Sequence, residues 1–348
     1  MLAGLLVLVG SGVLSFVVAP RVTALPGDTN TTRTYAGTAQ TLANPAWLAG
    51  NRLVPAVLHD VPITIVHQTK VVETRGDAAL VSDHRLMTIP MGYTVADLTN
   101  RYGVDRTNLG PAAGFAGVTA QRGLTFNWPI GTNQHDYTGW VSDTGRTTTL
   151  RYTGTATRAG VRTYVFIANV LPARITDPQL LKLLPSTITK ADIMSMTPSL
   201  GFTTRQLTDM AKTLKSLPDP VPLAYTYAAS NTYWVEPNTG IVVDMRYHET
   251  RSVAFSIGPV TVPVSSLMDL TYTSTPQTLA AAAKDAKDGA AGIRLIRTTL
   301  PLTLLFTGLA LTLIGLAGLA WRRPEPTPPT PPTPPAAPVD TPAPAMAG

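Results

Sequence analysis

The chain has no cysteine. Disulfides and thiolate metal sites are excluded on that ground alone. Charge is sparse: Asp, Glu, Lys and Arg together make up 14% of the residues. Close histidine pairs are also missing, HExxH among them, so zincin chemistry has no footing. There is no G-x-S-x-G, P-loop or Rossmann fingerprint. The chain is read as a non-enzyme, with no catalytic residue, metal or cofactor assigned. Its length is sufficient to bury a core without disulfides.

Charge is missing altogether from two long apolar runs, residues 2–19 and 300–321. Each can cross a hydrocarbon core of about 30 Å as helix. One central charge would cost about 2.5 to 3.5 kcal/mol on insertion, and neither run carries one. Arg322 and Arg323 follow the second run directly and hold the C-terminus in the cytoplasm by the positive-inside rule. Two crossings return the N-terminus to the same side. The expected location is therefore the plasma membrane, with both termini cytoplasmic and the body outside. Arg21, Arg294 and Arg297 bias the other way. The first run, set at residues 1–20, is expected to stay as an anchor. The alternative is cleavage at Val22-Thr23-Ala24, a passable signal-peptidase site. In the second run Gly315 and Gly318 are expected to permit close helix approach.

Between the runs, residues 21–299 read as strands and turns, rich in Thr, Gly and Pro. Residues 63–73 and 79–87, joined through Arg75-Gly76-Asp77, have a hairpin signature. Residues 147–157, 163–170, 241–250 and 253–257 read as further strands. Pro62, Pro129, Pro259 and Pro263 are expected at strand ends or edges. A helical insertion is predicted over 177–217. Thr203 and Gln206 form a capping box there, and Leu207, Met210, Ala211, Leu214 and Leu217 share a face. A juxtamembrane helix is predicted over 278–297, hinged near Gly289, Gly292 and Pro301. Residues 322–348 form a Pro/Thr/Ala tail with almost nothing to bury, expected to be disordered. The fold class is α+β: a β-rich extracytoplasmic domain with a helical insertion, flanked by N- and C-terminal transmembrane helices.

A weak internal repeat links two stretches. Trp140-Val141 runs to Gly145 and then Arg151-Tyr152; Trp234-Val235 runs to Gly240 and then Arg246-Tyr247. Each suggests a strand, a turn with glycine at positive φ, and a returning strand. Histidines stand next to acids in His59-Asp60, Asp83-His84, His135-Asp136 and His248-Glu249. Neighbours on a strand point to opposite faces, so these are not preformed dyads. Asp83, Asp136, Glu236 and Asp244 are candidates for a carboxylate pair, with no sequence sign that any two converge.

The blocks around the repeat resemble a known family. Arg122 to Thr132 (RGLTFNWPIGT) with Tyr137 and Trp140, Val104-Asp105-Arg106-Thr107, and Tyr233 to Gly240 (YWVEPNTG) resemble its motifs. The family is the actinobacterial two-span group of unknown function often labelled "porin PorA". Gly139 and Val141-Ser142 depart from its usual pattern around the first Trp. The resemblance implies a role in cell-envelope lipoglycan assembly and a START-like lipid-binding fold. It carries over no catalytic residue.

The resulting reading is an extracytoplasmic binding protein for a lipid or lipid-linked glycan. The net charge of +6 suits anionic lipids or phosphorylated glycans. Expected partners are the membrane, a polyprenyl-phosphate-linked glycan and envelope-assembly proteins, with no nucleic acid. Ile193, Met196, Leu207, Met210 and Leu214 are expected to line an elongated cavity. Arg151 and Arg246 are expected at its mouth, where a guanidinium grips phosphate. The alternatives are a scaffolding subunit of a membrane complex and a glycan-modifying enzyme.

Overall fold

The computed structural model describes residues 2–18, 24–197, 203–257 and 260–321. Pro20, Arg21, Pro259, Arg322-Arg323, most of the candidate cleavage site and the whole Pro-rich tail lie outside them.

The body is built on one antiparallel sheet. Its strands are β1 (Asn30–Ala43), β2 (Val57–Arg75), β3 (Ala78–Thr88), β4 (Thr94–Asp105), β5 (Tyr137–Val141), β6 (Arg146–Arg158), β7 (Val161–Arg174), β8 (Thr187–Ile188), β9 (Val221–Val235), β10 (Val242–Ile257) and β11 (Val260–Ser274). The order across the sheet is β4-β3-β2-β1-β11-β10-β9-β7-β6-β5, with β8 added to β9. The first and last long strands meet at its centre, where Tyr35 pairs with Ser274 and Leu42 with Met268. Hairpin connections account for most neighbours because Val, Ile and Thr runs alternate with short turns. The predicted pair of strands over 241–257 is one strand, β10.

The sheet curls into a half-barrel. Its edges, β4 and β5, are not hydrogen-bonded to each other; side chains bridge the gap instead. Leu98 of β4 and Val141 of β5 pack against one buried cluster with Tyr225 and Tyr227, and Trp140, Leu124 and Phe126 pack against the cluster of Tyr102 and Val104. The loop between β4 and β5 also takes up edge hydrogen bonds, Ala112 N to Gly103 O at 2.8 Å and Leu124 N to Thr138 O at 2.9 Å. Covered edges resist pairing with other chains.

Pro62 corrects one expectation, because it lies inside β2 rather than at its end. Pairing with β3 starts only at Thr64, so β2 has a single neighbour at Pro62, where a missing N–H is tolerated. Pro129 lies in the loop between β4 and β5 rather than at a strand end.

Helices occupy the two ends. At the far end, α2 (Pro45–Leu48) meets the predicted insertion, which forms α3 (Pro178–Lys182), α4 (Lys190–Met196) and α5 (Thr204–Ser216). Asp177 caps α3 at its N-terminus, and the capping box of α5 forms as expected. Trp47 and Val57 pack with Ile188 and Met196 there.

At the near end, α6 (Pro276–Arg294) lays Ala283 and Ala286 on Val161 and Val243. It then runs through a π-type turn, Leu295–Thr299, into α7 (Leu300–Ala320). The whole is one helix over Pro276–Leu319, long and apolar enough to cross a membrane. The expected hinge is thus a register change, not a break. Pro301 lacks the N–H that α-type bonding requires, and a π turn accommodates the loss.

The N-terminal helix α1 (Leu2–Val13) is shorter, with a π turn to Val18. It packs antiparallel on α7. Ser11 Oγ donates to Pro301 O at 2.9 Å, and Gly4 approaches so closely that an added Cβ would lie 2.8 Å from Gly308 O. A close approach on this helix occurs at Gly308, whereas Gly318, where one was expected, faces open space. Small residues on both helices allow such backbone contact.

Candidate functional site: a cavity inside the curled sheet

The concave face of the sheet encloses a cavity of about 710 Å³. Strands such as β1, β2, β3 and β4 contribute alternate residues to it, as the two-residue period requires. Tyr247 and Met245 of β10 face in while Arg246 between them faces out.

The deep part is polar. Glu249 is fully buried, with 0% of its side chain exposed. Arg85 Nη2 donates to Glu249 Oε1 at 2.6 Å and to Tyr272 OH at 2.8 Å. Tyr227 OH donates to Glu249 Oε2 at 3.1 Å. Arg251 Nη1 lies 3.6 Å from Glu249 Oε1, and its Nη2 donates to Asp143 Oδ2 at 2.6 Å. Four charges thus alternate in sign along one buried chain: Asp143, Arg251, Glu249, Arg85. Arg85 keeps 26% of its side chain exposed, and it lines the cavity.

The electrostatics follow from this pairing. Burial alone would raise the Glu249 carboxyl, but Arg85 and Arg251 beside it hold it below the ordinary value. Burial works against the Arg85 charge too, yet Glu249 raises its pKa further. Burial pushes Tyr233 up to about 12, and Tyr227, Tyr247 and Tyr272 rise well above the ordinary tyrosine value for the same reason. All four are neutral hydroxyls at physiological pH. Tyr233 and Tyr247 hydrogen-bond to each other, and Tyr247 stacks on Tyr272 with ring centroids 5.1 Å apart.

Nearby, His67 Nε2 contacts Asp83 Oδ1 at 2.5 Å. His84 and His248 make equivalent pairs with Asp97 and Asp269, both at 2.8 Å, on the opposite face of the sheet. Each histidine thus takes its acid from the next strand and not from its sequence neighbour. The carboxylate candidates do not form a pair. Asp83 is held by His67, Asp136 accepts from Tyr152 N, Glu236 accepts from Asn238 and Thr239, and Asp244 faces Arg158.

The near part of the cavity is apolar and aromatic. Trp128 is 4% exposed and packs on Phe166 and Tyr233. Its backbone N–H donates to Gly240 O at 3.1 Å, and the Gly131 backbone N–H donates to Asn238 O at 3.2 Å. The loop therefore docks onto the β9–β10 turn. Gly240 makes this possible: its φ is +72°, and a Cβ there would lie 2.0 Å from Trp128 O. The third block does similar work. Asp105 Oδ1 accepts from Thr107 N and Asn108 N, while Arg106 Nε donates to Leu25 O at 2.7 Å. The motif residues clamp the cavity wall together.

A family model described as Porin PorA matches residues 1–317. The chain belongs to the porin PorA family. No curated protein matches it. Among solved structures, a triple mutant of Rhodopseudomonas blastica porin is 8% identical and aligns over 71% of this chain and 99% of its own, with a TM-score of 0.19. Another mutant of the same porin is 6% identical over the same shares, also at 0.19. Superposition that loose carries no weight for the fold of this PorA family member. Family membership and the apolar C-terminal helix together support membrane association.

The residues nominated from sequence lie elsewhere. Ile193, Met196 and Met210 line a separate crevice of about 60 Å³ at the far end. Leu214 is buried beside it with Val221 and Phe255, and Leu207 is half-buried. A crevice that size holds about two waters' worth of space, too little for a lipid chain. Arg151 and Arg246 are exposed on the convex face. The repeat does place both Trp residues at hairpin strand ends, with Gly145 and Gly240 at positive φ. Their surroundings differ: Trp140 lines the cavity, whereas Trp234 lies under the Arg158 guanidinium. At Gly139, where the chain departs from the family pattern, a side chain would press on Leu150 at 3.0 Å.

The buried charge chain was the feature missed from sequence. Its signal was present in Glu249 and Arg251, two apart on one strand and so on one face.

Proposed function

We propose that this protein is a membrane-anchored binding protein for a lipid or lipid-linked glycan, acting in cell-envelope lipoglycan assembly. The observation that carries the reading is the cavity of about 710 Å³ inside the sheet, adjoining the helix that leads into the membrane-type segment. Ligand sites run from about 300 to 1,000 Å³, mostly apolar with a few placed polar groups. Binding, not turnover, is the role assigned to its polar groups, since the acids Asp83, Asp143, Asp177 and Asp285 on its wall are already held by partners. Native mass spectrometry of the detergent-purified full chain tests this. A bound lipid is expected at about one per chain; a chain free of lipid after gentle purification from its own cells counts against it.

A transmembrane pore, which the family's name suggests, fits less well. The convex face carries Arg151, Arg246 and the His84–Asp97 and His248–Asp269 pairs. A lipid-facing arginine at the bilayer midplane costs about 2–4 kcal/mol.

The proposed topology has α1 and α7 both crossing, with the body outside. Single cysteines replacing Thr153 and Thr327 are expected to respond differently to a membrane-impermeant maleimide on intact cells. Thr153→Cys labels and Thr327→Cys labels only after lysis. Equal protection of both would rule the arrangement out.

A further inference from the structure

The cavity has two chemically distinct ends, and they are ordered relative to the membrane-type helix. Ala24, Leu25 and Pro26, which follow the N-terminal helix, line the near end. So do Gly292, Ile293 and Ile296, on the helix that continues into α7. Ile296 is four residues before Leu300, a rise of about 6 Å along the helix. Ile293 and Ile296 are half-buried, and a Cβ on Gly292 would meet nothing within 4 Å. The wall therefore has a gap on the side of the membrane-type segment. Beyond it come apolar and aromatic residues, then the polar deep end.

The charges in that deep end are already matched. Arg85 and Arg251 balance Glu249 and Asp143, and His67 contacts Asp83. Nearer the gap, Arg33 is bonded to Asp285 at 2.7 Å and Arg106 to main-chain carbonyls. An anionic headgroup would meet no uncommitted cation among these groups. Neutral polar groups are less well matched. Thr125 Oγ1, Trp128 Nε1, Trp140 Nε1 and Asn231 Oδ1 are buried without a hydrogen-bond partner, and all four residues line the cavity. Buried polar atoms ordinarily have one. These atoms have almost no surface of their own on the cavity, but the wall also carries the neutral polar residues Thr31, Thr69, Asn127, Ser142 and Thr148, and donors and acceptors of that kind suit hydroxyl groups.

We infer that the cavity takes an uncharged, hydroxyl-rich lipid headgroup, of the glycosyl class, directly from the bilayer through the gap beside Gly292. The head leads toward the Arg85–Tyr272 end and the chain trails past Ile293 and Ile296 toward the membrane. This rests on the lipid-binding reading and specifies its ligand and route.

The test uses the full chain in detergent, mixed with phosphatidylcholine vesicles carrying either monogalactosyldiacylglycerol or phosphatidylglycerol. Captured lipid is measured by mass spectrometry after repurification. Galactolipid is expected to exceed phosphatidylglycerol by about tenfold. Gly292→Trp, whose helix and thermal melting are expected to stay intact, should lower capture by about tenfold. Ile296→Trp serves in its place if that variant misfolds, and Gly318→Trp, distant from the cavity, should behave as the parent. Equal capture by the plugged variants overturns the route, and equal or greater capture of phosphatidylglycerol overturns the ligand class. In both cases lipid binding itself stands. If the parent captures neither lipid and carries none from its own cells, the underlying reading fails and this inference with it.

Discussion

Glu249→Ala is expected to lower stability by about 3–5 kcal/mol, because it strands buried cations. Arg85 loses its closest carboxylate, Arg251 loses one of two, and Tyr227 loses its acceptor. In a domain of this size the melting temperature should fall by roughly 10 °C. Glu249→Gln keeps an acceptor for Tyr227 and should lose less. The effect depends on pH in a definite direction. The folded pKa of Glu249 lies below the ordinary carboxylate value. The unfolded chain therefore binds its proton first as pH falls. The stabilisation is complete above the unfolded value of about 4.3 and is lost as pH drops through the folded one. The gap between the parent and Glu249→Gln should thus be largest near about pH 7 and shrink in acid. Thermal melts of both proteins in one detergent check this. A loss under about 1 kcal/mol for Glu249→Ala would mean that water reaches the cluster.

Trp128→Ala is expected to cost about 3–5 kcal/mol, the range for deleting a buried large aromatic. The indole holds Phe166 and Tyr233 at ring distances of 5.2 and 5.0 Å. Its removal also frees the loop that docks on the β9–β10 turn. Trp128→Phe should cost far less. It keeps a ring, and the indole N–H it removes has no hydrogen-bond partner in the protein. Denaturant melts of the two variants separate ring packing from polar loss. A similar cost for both would show that the N–H is bonded in solution, and that a ligand or water completes the site.

How much of this was legible in sequence differs from element to element. The hairpins were, since alternation of Val, Ile and Thr between turn residues is a local pattern with a local cause. The capping box at Thr203 and Gln206 was legible for the same reason, because both partners lie within one helical turn. The C-terminal apolar helix was legible because length and absence of charge decide it. The motif blocks were recognisable, but their physical work was not. A positive φ at Gly240 was legible, but that its missing Cβ makes room for Trp128, more than a hundred residues away, was not.

The nominated site residues do not line the cavity inside the sheet, for a related reason. A helical face bearing Met210 and Leu214 advertises burial, but burial against the far end of the sheet and burial around a cavity look alike in sequence. The paired arginines of the repeat were attractive as phosphate ligands, yet strand alternation turns Arg151 and Arg246 outward when their tyrosine neighbours turn inward.

Sequence alone therefore determined the strand-rich body, the helical insertion and the apolar helix that ends the described chain, because periodicity, composition and caps act over a few residues. Only the tertiary structure decided where the cavity lies and what it contains. Arg85 reaches Glu249 across 164 positions in the chain, and a contact of that kind exists only once β1 and β11 have joined the two halves of the sheet and curled them around a common interior.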